Sequence, residues 1–426
     1  MEMRAARSGA LGQALEYFDF AVFGALSASL FPELFFSNLG GSEALLASFA
    51  TFGIGFAARP IGGIVFGHLG DRLGRRPILY ITLCLMGTSS IIVGLLPTGG
   101  GPLIASLLMA LRFLQGLSLG GEATGAQIMV VEHARSNRRG RLGAFVCIGS
   151  PISQVAANLV LAVLSLTLTE QQWSSWGWRV PFLLSIGIVA VAAYVRGKLE
   201  ETPAFERGVT PDVKESAAKP HGLGLRVLRT QPREIIRLAL IWGGPALCFY
   251  LIAVYGLTLL KTQSGMSNNT AFVIMLSAHA VSIPVCLLGG VVSDRIGRKR
   301  SMLCGLAGCI VSLAAFFLLA HTGQVAPIAV AAAATLGSVQ FAGATQPALF
   351  AEAFPTYSRF SGSALAYTLT NLVFSAPAPM IATALTSSGG IGAVTSYGLC
   401  VLGVSVLATW SLKDRTGISL VGAVTR

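Results

Sequence analysis

Three carboxylates and one guanidinium stand inside long apolar runs of the chain: Glu16, Asp19, Glu122 and Arg112. A charge at the centre of a membrane helix costs about 2.5–3.5 kcal/mol on insertion scales, so each of these demands a partner or a function. Glu16 and Asp19 are three residues apart and share one helix face, while Arg112, Gln115, Leu119 and Glu122 form a stripe on another helix. At 1.5 Å per residue, Asp19 lies roughly 13 Å into the run 10–31, and Arg112 roughly 13 Å into the run 103–131 from the opposite side. Both depths are close to the middle of a hydrocarbon core about 30 Å thick. Glu122 falls roughly 15 Å beyond Arg112, out of its direct reach. Asp19 and Arg112 are therefore expected to pair across two helices. An acid that alternates between a cation and a poorly solvated cavity is a proton switch, and two alternating halves would couple it to transport. The competing reading is a static ion pair that fixes helix packing.

Arg112 is also suited to clamp a substrate carboxylate. Gln115, Gln127, Gln154, Asn158, Tyr250, Tyr255, Gln340, Gln346 and Asn371 are polar side chains within apolar runs that could line the same cavity. Equally, such residues knit membrane helices together without touching a ligand. His279 alone among the five histidines lies deep in a run, where it either lines a cavity or packs in a core. The seven cysteines show neither paired nor metal-ligand spacing. No metal or other cofactor is expected; a proton gradient would supply the energy.

The elements that must position these groups are long helices. The chain has 426 residues, 53% hydrophobic and 11% charged. At about 20 residues per span, the apolar runs number twelve: 10–31, 45–69, 77–97, 103–131, 142–168, 177–196, 236–262, 270–292, 301–321, 325–352, 361–386 and 392–412. They fall into two copies of one unit. The charged turn Asp71-Arg72-Leu73-Gly74-Arg75-Arg76 returns as Asp294-Arg295-Ile296-Gly297-Arg298-Lys299, 223 residues later. Glu132 followed by Arg139 returns, 220 residues later, as Glu352 followed by Arg359. One offset relating two features marks a duplicated half. The expected organisation is an N-terminal bundle over 1–196, a polar cytoplasmic linker over 197–235 and a C-terminal bundle over 236–426.

The net charge of +12 is spread unevenly, with arginine and lysine concentrated in alternate loops. The positive-inside rule then places both termini in the cytoplasm, and the charge sets topology instead of marking a nucleic-acid partner. Glu16 and Asp19 within the first run argue against a cleaved signal peptide. The short tail after the last run leaves no room for an appended domain.

These motifs resemble the major facilitator superfamily, and in detail its metabolite:proton symporters, a family that includes shikimate, α-ketoglutarate, citrate and proline/betaine carriers. The resemblance rests on the repeated charged turn, on Leu15–Phe20, on Phe52–Gly63, on Arg112–Gly116 with Gly120-Gly121-Glu122, on Trp176–Leu184, on Leu199–Pro203, and on Ala351–Pro355 with Arg359–Gly362. It implies an all-α membrane protein of twelve transmembrane helices in two pseudo-symmetric six-helix bundles. It also implies import of a small polar metabolite, expected to be an organic acid, by a monomer in the bacterial inner membrane, and no enzyme activity. Proton-coupling roles then fall to Asp19 and Arg112, with Glu16 and Glu122 as further candidates. The charged turns become a cytoplasmic gate: Asp71, Arg72, Arg75, Arg76, Asp294, Arg295 and Arg298. Glu132 with Arg139, and Glu352 with Arg359, extend that network. Uniport, export and a non-transporting receptor on the same fold are the alternatives.

Overall fold

A computed structural model describes residues 2–73, 75–99, 101–120, 127–128, 130–132, 134–187, 223–355 and 358–418. Among these residues every regular element is helical. The long helices are α1 (Glu2–Ser29), α2 (Gly41–Leu73), α3 (Arg75–Leu95), α4 (Pro102–Ser118), α5 (Arg139–Thr167), α6 (180–187), α7 (Pro232–Thr262), α8 (Asn268–Ile296), α9 (Arg298–Ala320), α10 (Val325–Ala353), α11 (359–389) and α12 (391–410). Each coincides with one of the twelve apolar runs.

Local chemistry explains the boundaries. Pro102 and Pro232 stand in the first turns of α4 and α7, where a missing N–H costs no hydrogen bond. Ser267 caps α8 by accepting from Thr270 N at 3.2 Å. A continuous helical run of 52 residues from Arg359 to Trp410 is far longer than a bilayer is thick. Gly390, at φ 69°, breaks it into α11 and α12, within the Ser387–Gly390 turn expected from the sequence. Pi-helical turns interrupt α7 at Leu251–Tyr255 and α11 at Asn371–Ser375. Within the fourth run α4 stops at Ser118, and residues 127–128 and 130–132 are helical. In the region expected as a linker, a short helix, Leu223–Thr230, leads into α7.

The two halves meet along two equivalent seams. Helix α5 packs on α8 and α10, α2 packs on α11, and α1 packs on α7. Under the six-helix repeat, α5 against α8 is the image of α11 against α2, so the duplication read in the sequence is expressed as pseudo-two-fold packing. Glycines set how closely these helices approach. A Cβ on Gly62 would sit 1.9 Å from the Leu117 carbonyl oxygen, and one on Gly116 2.1 Å from that of Gly55, which locks α2 against α4 within a half. Between the halves, a Cβ on Gly140 of α5 would lie 2.6 Å from the Gly290 carbonyl of α8.

Candidate functional site

Four helices of the first half converge on Asp19. Its Oδ2 accepts from Gln115 Nε2 of α4 at 2.7 Å, and its Oδ1 accepts from Ser185 Oγ of α6 at 3.4 Å. The second hydrogen of the Gln115 amide goes to Ser90 Oγ of α3 at 2.9 Å. Gln115 Oε1 in turn accepts from Arg112 Nη1 at 3.1 Å. The expected direct pairing of Asp19 with Arg112 is therefore corrected. No ion pair within 4.0 Å joins them, and the Gln115 amide stands between, holding one with its nitrogen and the other with its oxygen. A glutamine one turn from Arg112 fills the interhelix gap that a direct contact would have to close.

This arrangement localises the proton. Oδ2 faces an amide N–H, which can only donate, whereas Oδ1 faces a hydroxyl, so a proton on Asp19 finds an acceptor at Oδ1. There the Ser185 hydroxyl can turn from donor to acceptor, and both protonation states keep a full hydrogen-bond set.

Arg112 is fully buried. Its guanidinium carbon lies 3.7 Å from the Phe20 ring centroid, 4.2 Å from Phe23 and 5.2 Å from Phe52. Gly55 leaves room for it: a Cβ there would meet Arg112 Nε at 2.9 Å. Its faces are thus covered by rings and Nη1 is used, while Nε and Nη2 have no hydrogen-bond partner. These two nitrogens form the side-on edge of the guanidinium, whose parallel N–H bonds match the two oxygens of a carboxylate.

Arg59 of α2 approaches the same ring, with its guanidinium carbon 4.3 Å from Phe20 and 4.7 Å from Phe56. Its Nε is buried and unpaired. Arg59 is absent from the candidates drawn from the sequence, although it lies in an apolar run and the rule that marks Arg112 applies to it. Ser90 and Ser185 carried no such signal, since a serine in a membrane helix is common.

The rings continue across the boundary between halves. Phe52 and Phe56 lie 5.9 and 5.4 Å from Tyr250 of α7. Tyr17 of α1 meets Tyr367 of α11 through their hydroxyls at 3.0 Å. The other polar candidates divide. Gln127, Gln154, Asn158, Gln340 and Gln346 are buried. Gln127 contacts the thiol of Cys147 at 4.0 Å, and the Asn158 amide donates to the Gln154 carbonyl at 2.8 Å. Tyr255 and Asn371 are engaged within the second half: the Tyr255 hydroxyl meets Thr386, and Asn371 Nδ2 donates to Tyr367 O at 3.1 Å.

The gate candidates collect where the arginine-rich turns gather, here termed the basic end. Arg139 Nη1 lies 3.2 Å from Glu352 Oε1, and Arg359 Nη1 lies 2.7 Å from Glu132 Oε1. The partners expected from the sequence are thus exchanged: each arginine pairs with the glutamate of the other half, because the helix start that carries it faces the opposite bundle. Arg298 holds Glu352 at 3.2 Å and Asp294 at 2.9 Å. Asp294 in turn caps α5, accepting from Gly140 N at 2.7 Å and Arg141 N at 3.0 Å, where the helix dipole favours an anion. Arg295 is exposed and joins none of the ion pairs among the described residues. Glu122 lies outside the described residues, as do the side chains of Glu16, Asp71, Arg72, Arg75 and Arg76. At the far end Lys261 reaches Glu33 at 3.1 Å, and Thr258 Oγ1 donates to Ala28 O at 2.8 Å. The halves are held together at both ends.

Among the described residues no group of three or more His, Cys, Asp or Glu could hold a metal ion.

Two six-helix halves around a buried, unsaturated polar centre define a multi-pass membrane transporter. The comparisons agree: the model of the Major Facilitator Superfamily matches residues 9–379, and the chain belongs to that family. It is 36% identical over 412 residues to the inner membrane metabolite transport protein YhjE of Escherichia coli K12, covering 93% of this chain and 91% of that one. It is 30% identical to the shikimate transporter of the same organism, covering 96% and 94%. The solved proton:xylose symporter XylE superposes with a TM-score of 0.76 at 17% identity, covering 98% of this chain and 97% of that one. The protein is a transporter of small metabolites and not an enzyme.

Proposed function

We propose that the protein imports a small organic acid together with protons, by alternating access, in a bacterial inner membrane with the basic end facing the cytoplasm. The observation that carries this reading is the free Nε–Nη2 edge of the fully buried Arg112, tied through Gln115 to Asp19. A substrate carboxylate occupies that edge with two parallel charge-assisted hydrogen bonds. Its arrival neutralises the cation beside Asp19, and a proton on Oδ1 offsets the remaining negative charge. The loaded site is then less costly to enclose than one with an unpaired ion. Proton and carboxylate consequently travel together. The shikimate-carrying relative, an acid transporter by name, supports the substrate class. No resident cofactor takes part.

The test is pH-gradient-driven uptake of carboxylates by proteoliposomes, with and without a protonophore. Asp19→Asn should abolish uphill accumulation and keep substrate exchange. Accumulation equal to the parent's would remove Asp19 from the coupling.

A further inference from the structure

The segment that follows α12, residues 411–418, crosses the basic end as a strap. Arg298 N, in the first turn of α9, donates to Thr416 Oγ1 at 2.9 Å, and Arg415 Nη1 donates to the Ala353 carbonyl at the end of α10 at 2.9 Å. Both contacts serve backbone groups that have no partner within their own helix. Arg139 Nη1, from the first half, donates to the Ile418 carbonyl at 2.7 Å. The strap therefore fastens one half to the other.

Beneath it lies a cavity of about 280 Å³. Its charged lining is Glu234 and Arg237 of α7, Arg298 of α9, Glu352 of α10, and Lys413 and Arg415 of the strap. Both acids are answered within the protein: Glu234 by Arg237 at 3.2 Å, and Glu352 by Arg298 and Arg139, each at 3.2 Å. Lys413 and Arg415 have no such answer. Neither joins an ion pair among the described residues, and Arg415 spends one N–H on a carbonyl. The strap is extended here, so Lys413 and Arg415 share the side turned to the cavity. Asp414, the acid between them, is outside the lining and accepts instead from Thr416 N at 3.0 Å. Cations thus outnumber carboxylates around the cavity, and the unanswered ones sit on the element that must stay docked. Their mutual repulsion favours lifting the strap, and an anion between them would remove it.

We propose that this cavity binds a phosphate group, and that its occupancy keeps the strap docked and the basic end closed. A phosphate monoester carries a charge of about −1.5 to −2 at neutral pH, which matches the surplus, and its oxygens accept from several cations at once. The free N–H groups of Arg415 and the Lys413 ammonium are the donors. Pockets for drug-sized ligands hold roughly 300–1,000 Å³, so this smaller cavity suits a phosphate ion or a headgroup and not a nucleotide. Trp410, where the strap begins, is exposed, and Lys299 Nζ stands 5.7 Å from its ring, an aromatic and basic pairing typical of a membrane interface. Both a dissolved phosphate and a phospholipid headgroup can reach that level.

The experiment uses the purified full chain with the exposed Cys84, Cys304 and Cys400 replaced by serine, and follows maleimide labelling of Cys147 and Cys286, buried where α5 meets the second half. One arm titrates inorganic phosphate against chloride in detergent at constant ionic strength. The other compares vesicles of phosphatidylcholine with and without phosphatidylglycerol. An anion that binds only the docked strap shifts the equilibrium about tenfold at ten times its Kd, so labelling should slow by about that factor and saturate. Slowing in detergent identifies a dissolved anion as the ligand, and slowing confined to phosphatidylglycerol vesicles identifies a headgroup. Lys413→Gln, which removes no contact that holds the strap, should raise the half-saturating concentration several-fold. Lys413→Gln with Arg415→Gln should abolish the response, while Lys413→Arg with Arg415→Lys should keep it. Arg135→Gln with Arg138→Gln removes as much charge from exposed side chains outside the cavity and should leave the response intact. No slowing in either arm would overturn the proposal. So would slowing that survives the loss of Lys413 and Arg415, or that is lost equally with Arg135 and Arg138.

Discussion

The Arg139 guanidinium lies 3.2 Å from the Glu352 carboxylate, although 213 residues separate them and each has a charge of opposite sign nearer in its own half. With its image, Arg359 to Glu132, it makes a crossed lock between the bundles. Arg139 also donates to the Ile418 carbonyl at 2.7 Å, which draws the segment after α12 into the same closure.

Removing one partner of a buried pair leaves an uncompensated charge and costs about 3–5 kcal/mol. Glu352→Gln takes from Arg139 its carboxylate partner and leaves Arg298 with Asp294 alone, so the closed basic end should lose most of its advantage. Cys147 and Cys286, buried at the α5–α8 seam, report this directly. In a background where the exposed Cys84, Cys304 and Cys400 are serine, their maleimide labelling should accelerate at least about tenfold. An unchanged rate would show that the crossed pairs do not hold the gate.

The two ends are unequally fastened. Lys261 and Glu33 at the far end are 36% and 66% exposed, a setting in which an ion pair contributes under about 1 kcal/mol. Arg298, Glu352 and Asp294 at the basic end are 2–3% exposed. The far end should therefore open first. Spin-label distances across each end, measured without substrate, should spread at the far end and stay narrow at the basic end.

Glycines separate stability from cycling. Gly62→Ala drives a methyl into the Leu117 carbonyl within the first half and should cost roughly 1–3 kcal/mol as overpacking, lowering the melting temperature in detergent. Gly140→Ala meets Gly290 across the seam and should leave each bundle intact while biasing the basic end open. Faster labelling of Cys286 with little loss of melting temperature is the expected signature.

Gln115→Leu removes the amide that joins Asp19, Ser90 and Arg112. Several buried groups lose a partner at once, each worth about 1–3 kcal/mol. A clear fall in melting temperature together with uncoupled uptake should follow. Gln115→Glu should not rescue coupling, because it sets a second carboxylate against Asp19. Arg112→Lys keeps the charge and loses the planar edge, so carboxylate affinity should still fall at least about tenfold.

Much of the fold is written locally. The twelve apolar runs, the proline and glycine punctuation and the two repeats determine helix number, helix ends and two-fold architecture, because those properties depend on residues close in sequence. The same local rule marked Asp19 and Arg112 as costly charges needing a purpose, and it would have marked Arg59. Partners are another matter. That Gln115 stands between Asp19 and Arg112, that Arg139 reaches Glu352 across the seam, and that Nε and Nη2 of Arg112 remain free all depend on helix rotation and approach. Those are decided by the packing of many side chains at once, such as the fit of Gly55 to Arg112. The sequence determined which groups had to be accommodated inside the membrane; only the tertiary structure decided what each of them touches.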